Sequence, residues 1–474
     1  MKKLRPSIYR QLIHLAISCC LLITTILTPA TATAFSIGEE REIGEELLGM
    51  VRKSFDLMDE PDINQYINKL GQEILTVTDA RFFDYHFFVI NDKEFNAFAA
   101  PSGLIFIHSG LIEAMEDEGE LISVMAHECG HVTSRHIADR LKKTAKTSMA
   151  SVAVLLAAIA VGSGELAEAM ITGSMAASAQ MNLKFSRADE EEADRLAYKW
   201  MRELGTDPTP MATMLMKMHR VNVYRAGNIP PYLLTHPEPR RRMGYVQDLL
   251  MMDDNSAMTR RDNFEFQRIK QRITAYAKNP VEQGPLFRRQ TEKTDITPQQ
   301  VAMGHYGLYL TSLAQANFQA ATSEIKQVME AFPNRAILTA DLAIISFQQG
   351  RYQEALSLLQ AAHAKEPDDA YSAFHLARTW QQLGQEGKAL DLYKDLLETI
   401  PDYSRLHYEI GGIETRQNQP GLGHYHLALY FWYEGNTEMT RFHLKQAMKD
   451  PETEEAIKEI VKEMQDKIKK QKKR

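Results

Sequence analysis

Two histidines one helical turn apart, with a glutamate beside the first, are the strongest chemical signal in the sequence. They are His127, Glu128 and His131, in the segment His-Glu-Cys-Gly-His. Residues four apart on a helix project from the same face, so both imidazoles can reach one zinc ion. The glutamate is then placed to accept a proton from a water molecule at that ion. The pattern predicts a hydrolytic site with one Zn²⁺ per chain and Glu128 as its base.

A catalytic zinc site needs a third protein ligand, and an acidic run further along the chain offers one. Residues 186–194 read SRADEEEAD in a helical context, and Glu190 and Asp194 lie four apart on one helical face. One carboxylate can bind the metal while the other accepts the ring N–H of a ligating histidine. Spacing alone does not separate Glu190 from Glu191 as the ligand.

The surrounding sequence predicts an α+β domain with few strands. A helical amphipathic pattern covers residues 36–78, and short aromatic and β-branched runs at 85–91 and 103–108 are typical of strands. Between these runs, a proline and a glycine in the segment 96–103 favour an edge position in the sheet. An extended substrate could add to that edge as a further strand. The residues expected to align it are Asn96, Ala97, Phe98 and Ala99.

These motifs occur together, in the same order, in a known family of zinc peptidases. They are NAFAAPSG at 96–103, HECGH at 127–131, SRADEEEAD at 186–194 and THPEPRRR at 235–242. Over roughly residues 40–250 the sequence resembles the M48 (Ste24-like) peptidases. The resemblance implies a mostly helical, zincin-like metallopeptidase domain with a small sheet. It also implies that the third ligand is Glu190, in an E-x-x-x-D pair with Asp194.

The last of these segments contains two further candidate residues. The resemblance places His236 near the zinc, where a neutral imidazole could cap the open coordination position and keep the enzyme latent. The same ring could instead donate to the developing oxyanion. Arg242 is a second candidate for an oxyanion or structural role. His136 and Cys129 are predicted to be structural, because helical geometry turns them away from the metal.

Beyond residue 300 the sequence repeats every 34 residues. The recurring positions are Pro333, Pro367 and Pro401; Ala321, Ala355 and Ala389; Leu308, Leu342 and Leu376; and the turn glycines Gly350 and Gly384. This period, with alanine where two helices cross and proline at the end, is the tetratricopeptide pattern. A less regular fourth unit is expected at 421–453, where Thr440 replaces the alanine. The sequence therefore predicts an all-α repeat solenoid after the first domain.

The expected domain boundaries follow from these patterns. Residues 1–34 have a basic start, an apolar run and an Ala-Thr-Ala site, which together predict a secretory signal peptide; an uncleaved membrane anchor is the alternative. The metallopeptidase domain is expected at 35–278. A linker rich in proline and glycine follows at 279–299. The repeat domain, with about four repeats and a basic tail, occupies 300–474.

The net charge and the cysteine content limit the classes of partner and the cellular compartments that can be expected. A net charge of −7 gives no electrostatic reason to expect nucleic acid. Cys129 would be the only cysteine of the mature chain, so no intrachain disulfide can form. With the signal and the repeats added, the chain is similar to a periplasmic member of the family that acts in quality control of outer-membrane proteins. That likeness implies an endopeptidase for misfolded or stalled outer-membrane proteins, with repeats that bind the assembly machinery or substrate.

Two alternatives to an active soluble peptidase remain open. The first is a latent protease that acts mainly as a repeat-based chaperone or scaffold in outer-membrane protein assembly. The second is a peptidase that contacts the membrane surface. The apolar segment 149–162 is too short to span a bilayer, and it is either a buried helix, a cover over the site or a membrane-dipping helix. The basic tail 466–474 is either a solvated helix end or a contact for anionic lipid headgroups.

Overall fold

The computed structural model describes residues 36–78, 81–143, 184–224 and 230–473, and these are mostly helical with one small sheet. The predicted signal peptide and the apolar segment 149–162 lie outside the described residues. Within the described ranges, no helix combines the length and the apolar character needed to cross a membrane.

The first part of the chain builds the sheet and the helices around it. Its elements are α1 (Ile37–Ser54), α2 (Pro61–Leu75), β1 (His86–Ile90), β2 (Ala97–Ala100), β3 (Leu104–His108), α3 (Ser109–Ala114), α4 (Glu118–Thr133), α5 (His136–Lys143), α6 (Arg187–Glu203), α7 (Thr209–Tyr224), α8 (Pro231–Thr235), α9 (Pro239–Met252) and α10 (Phe264–Tyr276). The predicted α+β class is confirmed.

The three described strands lie in the order β1-β3-β2, with β1 parallel and β2 antiparallel to β3. The predicted edge position of the segment around 97–100 is therefore confirmed. Phe88, Phe106 and Phe98 lie side by side across the strands, and their rings stack at centroid distances of 5.3 and 4.9 Å. Such aromatic pairs add about 0.5–1.5 kcal/mol each beyond the area they bury. The ladder holds β2 in register.

The predicted helical stretch 36–78 is divided into two helices. A capping box between Ser36 and Glu39 starts α1, and Pro61 at the first position of α2 restarts the helical path after a break. In the break, Leu57 forms an isolated bridge with Ile90 of β1. The apolar periodicity continues across the break because both helices pack on the same core.

Helix α4 lies at the centre of the first core, and α6 packs closely against it. Gly130 permits this approach, because a Cβ at that position would lie 3.1 Å from the Cα of Ala193. Leu121 and Met125 on the preceding turns of α4 are fully buried. Each buried apolar side chain of that size contributes about 1.5–3 kcal/mol. The two helices that carry the HECGH and SRADEEEAD motifs are thereby fixed side by side.

The second part of the chain is entirely helical. Its helices are α11 (Pro280–Thr291), α12 (Pro298–Ala314), α13 (Phe318–Ala331), α14 (Ala336–Gln348), α15 (Tyr352–Lys365), α16 (Ala370–Gln382), α17 (Glu386–Thr399), α18 (Ser404–Arg416), α19 (Pro420–Tyr433), α20 (Thr437–Lys449) and α21 (Glu455–Lys473). The predicted repeat solenoid is confirmed.

The segment expected to be a linker, 279–299, contains a helix. Asn279 caps α11 by accepting the N–H of Val281, and Pro280 occupies the first helical position, where a proline is well tolerated. The ring of Phe287 then packs against Gly307 of α12, whose missing side chain leaves room for it. Proline and glycine therefore mark a helix start and a close helix contact here.

The unit predicted at 421–453 coincides with the helix pair α19–α20, and Gly435 lies in the turn between them with φ of 69°. In the second and third repeats the inter-helix turn is Gly350 or Gly384, both with φ of 73°. The equivalent residue of the fourth hairpin is Asn418, with φ of 61°. Asparagine tolerates this left-handed conformation, so no glycine is needed. The hairpin α18–α19 continues the 34-residue phase of the earlier repeats, and it shares α19 with the unit predicted at 421–453.

The two parts of the chain are joined by a buried ion network. Arg268 of α10 donates to Asp62 of α2 (2.9 Å) and to Asp341 of α14 in the second repeat (3.3 Å). Tyr306 and Tyr371, from the first helices of the first and third repeats, also donate to Asp341. The inner helices of the repeats therefore pack against the chain's own first part.

Candidate active site

The two histidines of the HECGH motif converge on one point. Asp117 caps the start of α4 by accepting the N–H of Gly119, and the helix carries His127 and His131 into the interior. Both side chains are buried, and their Nε2 atoms lie 3.1 Å apart. Because both ring nitrogens face the same volume, one ion between them could be bound by both.

The carboxylate that meets these rings comes from α6. Glu190 is 1% exposed, and its Oε1 and Oε2 atoms lie 3.4 Å from His131 Nε2 and 3.7 Å from His127 Nε2. The neighbouring Glu191 is partly exposed and forms an ion pair with Arg195 one turn on. The geometry thus brings Glu190 to the histidines and directs Glu191 away from them.

Asp194, one turn beyond on α6, holds the other side of the first histidine. Its Oδ1 lies 2.8 Å from His127 Nδ1, and both of its oxygens accept from Arg242 of α9 at 2.7 and 2.8 Å. Arg242 also reaches Glu190 Oε2 at 2.7 Å, and Tyr245 donates to Asp194. Burial alone raises the pKa of Asp194, but the guanidinium and His127 hold it well below its usual range, so the carboxylate stays charged.

His236 follows α8 and lies inside the same cluster. Its Nδ1 is 3.0 Å from Glu190 Oε1 and 3.3 Å from His127 Nε2, and its Nε2 is 3.6 Å from Glu128 Oε1. The ring of Tyr232 stacks on it at a centroid distance of 4.3 Å. The imidazole of His236 therefore lies close to His127, Glu190 and Glu128 at the same time.

The edge strand β2 contacts Glu128 directly. The backbone N–H of Ala99 donates to Glu128 Oε2 at 2.9 Å, while Glu128 Oε1 is buried without a hydrogen-bond partner in the described part of the chain. The carbonyl of Asn96 accepts a hydrogen bond from the backbone N–H of His108 in β3, so the backbone of Asn96 is turned toward β3. The backbone of Phe98, two residues on, is turned the same way. The backbone of Ala97 and Ala99 faces outward instead, toward the site.

These side chains fit a divalent metal ion. Ligand atoms of four buried residues lie within 4.8 Å of one another, and the residues are His127, His131, Glu190 and His236. Imidazole and carboxylate are ligands that zinc and similar divalent ions accept. Burial lowers the pKa of His131 well below its usual value, so the ring is neutral as a ligand must be. His236 Nε2 is buried without a hydrogen-bond partner among the described residues, as is Glu128 Oε1.

Two residues near the cluster were not foreseen as part of it. The ring of Phe185 stacks on His131 at 3.7 Å between centroids, and the Nδ1 of His136 lies 2.9 Å from the Nδ1 of His131. A continuous helix would carry His136 away from His131, but α4 ends at Thr133 and the chain turns back. Cys129 lies in the core as predicted, where burial raises the pKa of its thiol far above the usual value.

Two histidines and a glutamate are a donor set that catalytic zinc sites of metallopeptidases use, and comparison with known proteins assigns the chain to that class. Residues 61–250 match peptidase family M48, and residues 346–408 match the tetratricopeptide repeat. The chain is therefore a metalloendopeptidase with an M48 domain followed by tetratricopeptide repeats.

Three relatives show how far the similarity extends. The chain is 28% identical to the beta-barrel assembly-enhancing protease of Escherichia coli over 369 residues, which are 77% of this chain and 74% of that protein. Against the protein of the same name from Yersinia pestis, identity is 27% over 78% of this chain and 76% of the relative. The metalloprotease LoiP of Escherichia coli is 31% identical over 34% of this chain and 61% of its own length. The first two similarities extend beyond the M48 domain into the repeats.

Proposed function

We propose that the chain is a zinc-dependent endopeptidase that binds one Zn²⁺ through His127, His131 and Glu190. The observation that carries the proposal is the convergence of these three buried side chains on one volume beside Glu128. A zinc ion held there supplies Lewis-acid polarisation of the scissile carbonyl and acidifies the attacking water.

Glu128 accepts the proton of the attacking water and passes it to the leaving amine. Its Oε1 atom is free of hydrogen bonds to described residues and faces His236, while Oε2 is held by the N–H of Ala99. One oxygen is thus fixed by the edge strand, and the other is available for proton transfer. The fixed oxygen keeps the carboxylate oriented during both steps.

Asp194 and Arg242 position the ligands. Asp194 accepts the Nδ1–H of His127, which leaves Nε2 free to bind the ion. The guanidinium of Arg242 donates to both oxygens of Asp194 and lies between that carboxylate and the carboxylate of Glu190. This supports a structural role for Arg242 over a role at the oxyanion.

The edge of β2 aligns the substrate as an added strand. The outward-facing backbone of Ala97 and the carbonyl of Ala99, whose N–H is held by Glu128, offer hydrogen bonds that do not depend on substrate side chains. On the other edge of the strand, the carbonyl of Asn96 accepts the backbone N–H of His108 in β3. The ring of Phe98 stacks on that of Phe106 in β3. Such recognition suits extended, unfolded chains, because a folded protein does not present a free strand.

Replacing Glu190 tests the ligand set against its neighbour in sequence. We expect Glu190→Gln to weaken zinc binding by at least about 100-fold, because it removes the charged ligand and leaves Arg242 buried beside a neutral amide. Glu191→Gln is the matched control, since this side chain faces solvent and Arg195. Equilibrium competition with a chromophoric chelator measures both dissociation constants. Equal affinity in the two variants would exclude Glu190 as a ligand.

A second candidate function is a latent protease that acts mainly as a scaffold, and the position of His236 favours it. Its imidazole occupies the fourth donor position of the cluster, so it competes with the attacking water and with the substrate carbonyl. We propose that the resting site is capped by this residue.

Removing the cap separates the two roles proposed for His236. We expect His236→Ala to raise casein hydrolysis roughly tenfold, which corresponds to a wild-type site open about one-tenth of the time. A residue that stabilises the oxyanion would give the opposite sign, with a loss of about 100-fold or more. Initial rates at saturating zinc measure the effect. A lower rate with unchanged zinc content would refute the capping role.

In the cell, we propose that the enzyme is exported by the signal peptide at 1–34 and works in the periplasm. The names of two relatives connect those proteins to beta-barrel assembly. We propose that the substrates of this chain are misfolded or stalled outer-membrane proteins, and that its repeats bind the assembly machinery or the substrate. We propose the domain limits 35–278 and 300–474, with α11 as a packed connector inside 279–299. We also propose that the basic tail contacts anionic lipid headgroups, because its side chains are positively charged.

A further inference from the structure

His136 makes a buried contact with His131, one of the proposed metal ligands. The mechanism proposed above gives this contact no role. Its Nδ1 lies 2.9 Å from the Nδ1 of His131, and the two residues are 7% and 0% exposed. Two ring nitrogens at this distance share one hydrogen, so one of them donates and the other accepts.

The remaining atoms of the two rings fix the direction of this hydrogen bond. His131 Nε2 faces His127 Nε2 and Glu190 Oε1, so it must be unprotonated to bind an ion, and its ring proton lies on Nδ1. His136 Nδ1 is therefore the acceptor. Its proton lies on Nε2, which points at Glu192 Oε2 at 3.5 Å. A chain of contacts thus runs from the metal site to a carboxylate at the surface.

The backbone turn between α4 and α5 directs the ring of His136 toward His131. After α4 ends at Thr133, Arg135 adopts φ of 54°, a left-handed conformation that is costly for a residue with a Cβ. The Nε of Arg135 donates to Glu40 of α1 at 3.0 Å, and Ser134 Oγ donates to Glu192 Oε1 at 2.9 Å. These bonds hold the turn that folds His136 back onto the helix it follows.

We propose that His136 is a positioning residue for the metal ligand His131, through the hydrogen bond between their Nδ1 atoms. The inference rests on the proposed zinc site. The two histidine ligands are then oriented by different groups, since Asp194 holds the ring of His127 and His136 holds that of His131. Loss of such an outer partner lowers metal affinity by about 10–100-fold.

Two variants of similar shape test the hydrogen bond. His136→Leu removes the acceptor, whereas His136→Asn keeps an oxygen acceptor bonded to Cγ, as Nδ1 is in histidine. We expect the leucine variant to bind zinc about 10–100-fold more weakly than wild type and the asparagine variant to recover most of that loss. The readouts are the zinc dissociation constant, by chelator competition, and the visible absorption of the Co²⁺-substituted protein. Glu191→Gln should match wild type in both.

The outcomes distinguish this inference from the zinc proposal itself. If the wild-type chain binds no zinc, the proposed function fails. If wild type binds zinc and the leucine and asparagine variants match it, the role of His136 alone is overturned. Should the leucine variant fail to fold without metal, ¹H–¹⁵N spectra of the zinc-bound wild type decide. An unprotonated Nδ1 on His136 is expected, and a protonated one contradicts the proposal.

Discussion

We expect Glu128→Gln to lower kcat/KM for peptide hydrolysis by roughly 10²–10⁴-fold, the contribution usual for a positioned general base. The amide oxygen of glutamine can still accept the N–H of Ala99, so the edge strand and the fold should be retained. What is lost is the proton acceptor at Oε1. Hydrolysis of an unfolded outer-membrane β-barrel protein, measured alongside casein, gives the rates. Zinc content should remain at one ion per chain.

The Glu191→Gln enzyme is the control for this experiment, because it carries the same chemical change at a partly exposed position on α6. It should keep the wild-type rate. If Glu128→Gln hydrolyses both substrates as fast as the control does, Glu128 is not the base and the mechanism is refuted. If neither the variant nor the wild type hydrolyses either substrate, the scaffold function gains support over the peptidase.

The parts of the site that the sequence could predict are those set by local geometry. Spacing of four on a helix is enough to place His127 and His131 on one face, and the same rule pairs Glu190 with Asp194. The edge position of the strand before Gly103 also followed from local signals, since proline and glycine are poorly suited to a central strand. Each of these inferences needs only the backbone within one element.

Contacts across long sequence separations could not be predicted in this way. Glu190 and Glu191 are equivalent by spacing, and only the packing of α6 on Gly130 decides which one meets the histidines. The sequence predicts a structural role for His136 because a continuous helix would turn it away from the metal. Helix α4 ends at Thr133, however, so this geometry does not apply. The left-handed turn at Arg135 depends on Glu40, which lies on another helix. Such a turn has no local sequence signature.

The repeats show the same division. The 34-residue period and the glycine at position 435 predicted helix pairs, but the hairpin α18–α19 could not be predicted from a glycine, because Asn418 takes the left-handed turn position there. Nor did the sequence show what the inner face of the solenoid contacts. That face is usually available to peptides or partner helices. Here Asp341 on that face accepts a hydrogen bond from Arg268 of the first part of the chain, so the surface around Asp341 is covered by the chain itself.

The ion network between the two parts of the chain holds the Arg268 guanidinium in its charged form. Burial alone lowers the pKa of Arg268, but Asp341, Tyr306 and Asp62 raise it well above its usual range. Both Arg268 and Asp341 are 0% exposed. Breaking one partner of such a buried pair is far more costly than the pair itself is stabilising, because the remaining charge is left buried without a counterion.

We therefore expect Arg268→Met to destabilise the chain by about 3–5 kcal/mol and to separate the unfolding of its two parts. The matched control is Arg335→Met, which breaks an exposed ion pair with Asp262 and should cost only about 0–1 kcal/mol. Urea unfolding followed by fluorescence reads both parts, because Trp200 lies in the first core and Trp380 against the repeats. One shared transition in wild type should become two in Arg268→Met, with the repeats unfolding first. A single transition with the midpoint of the control would show that the bridge does not couple them.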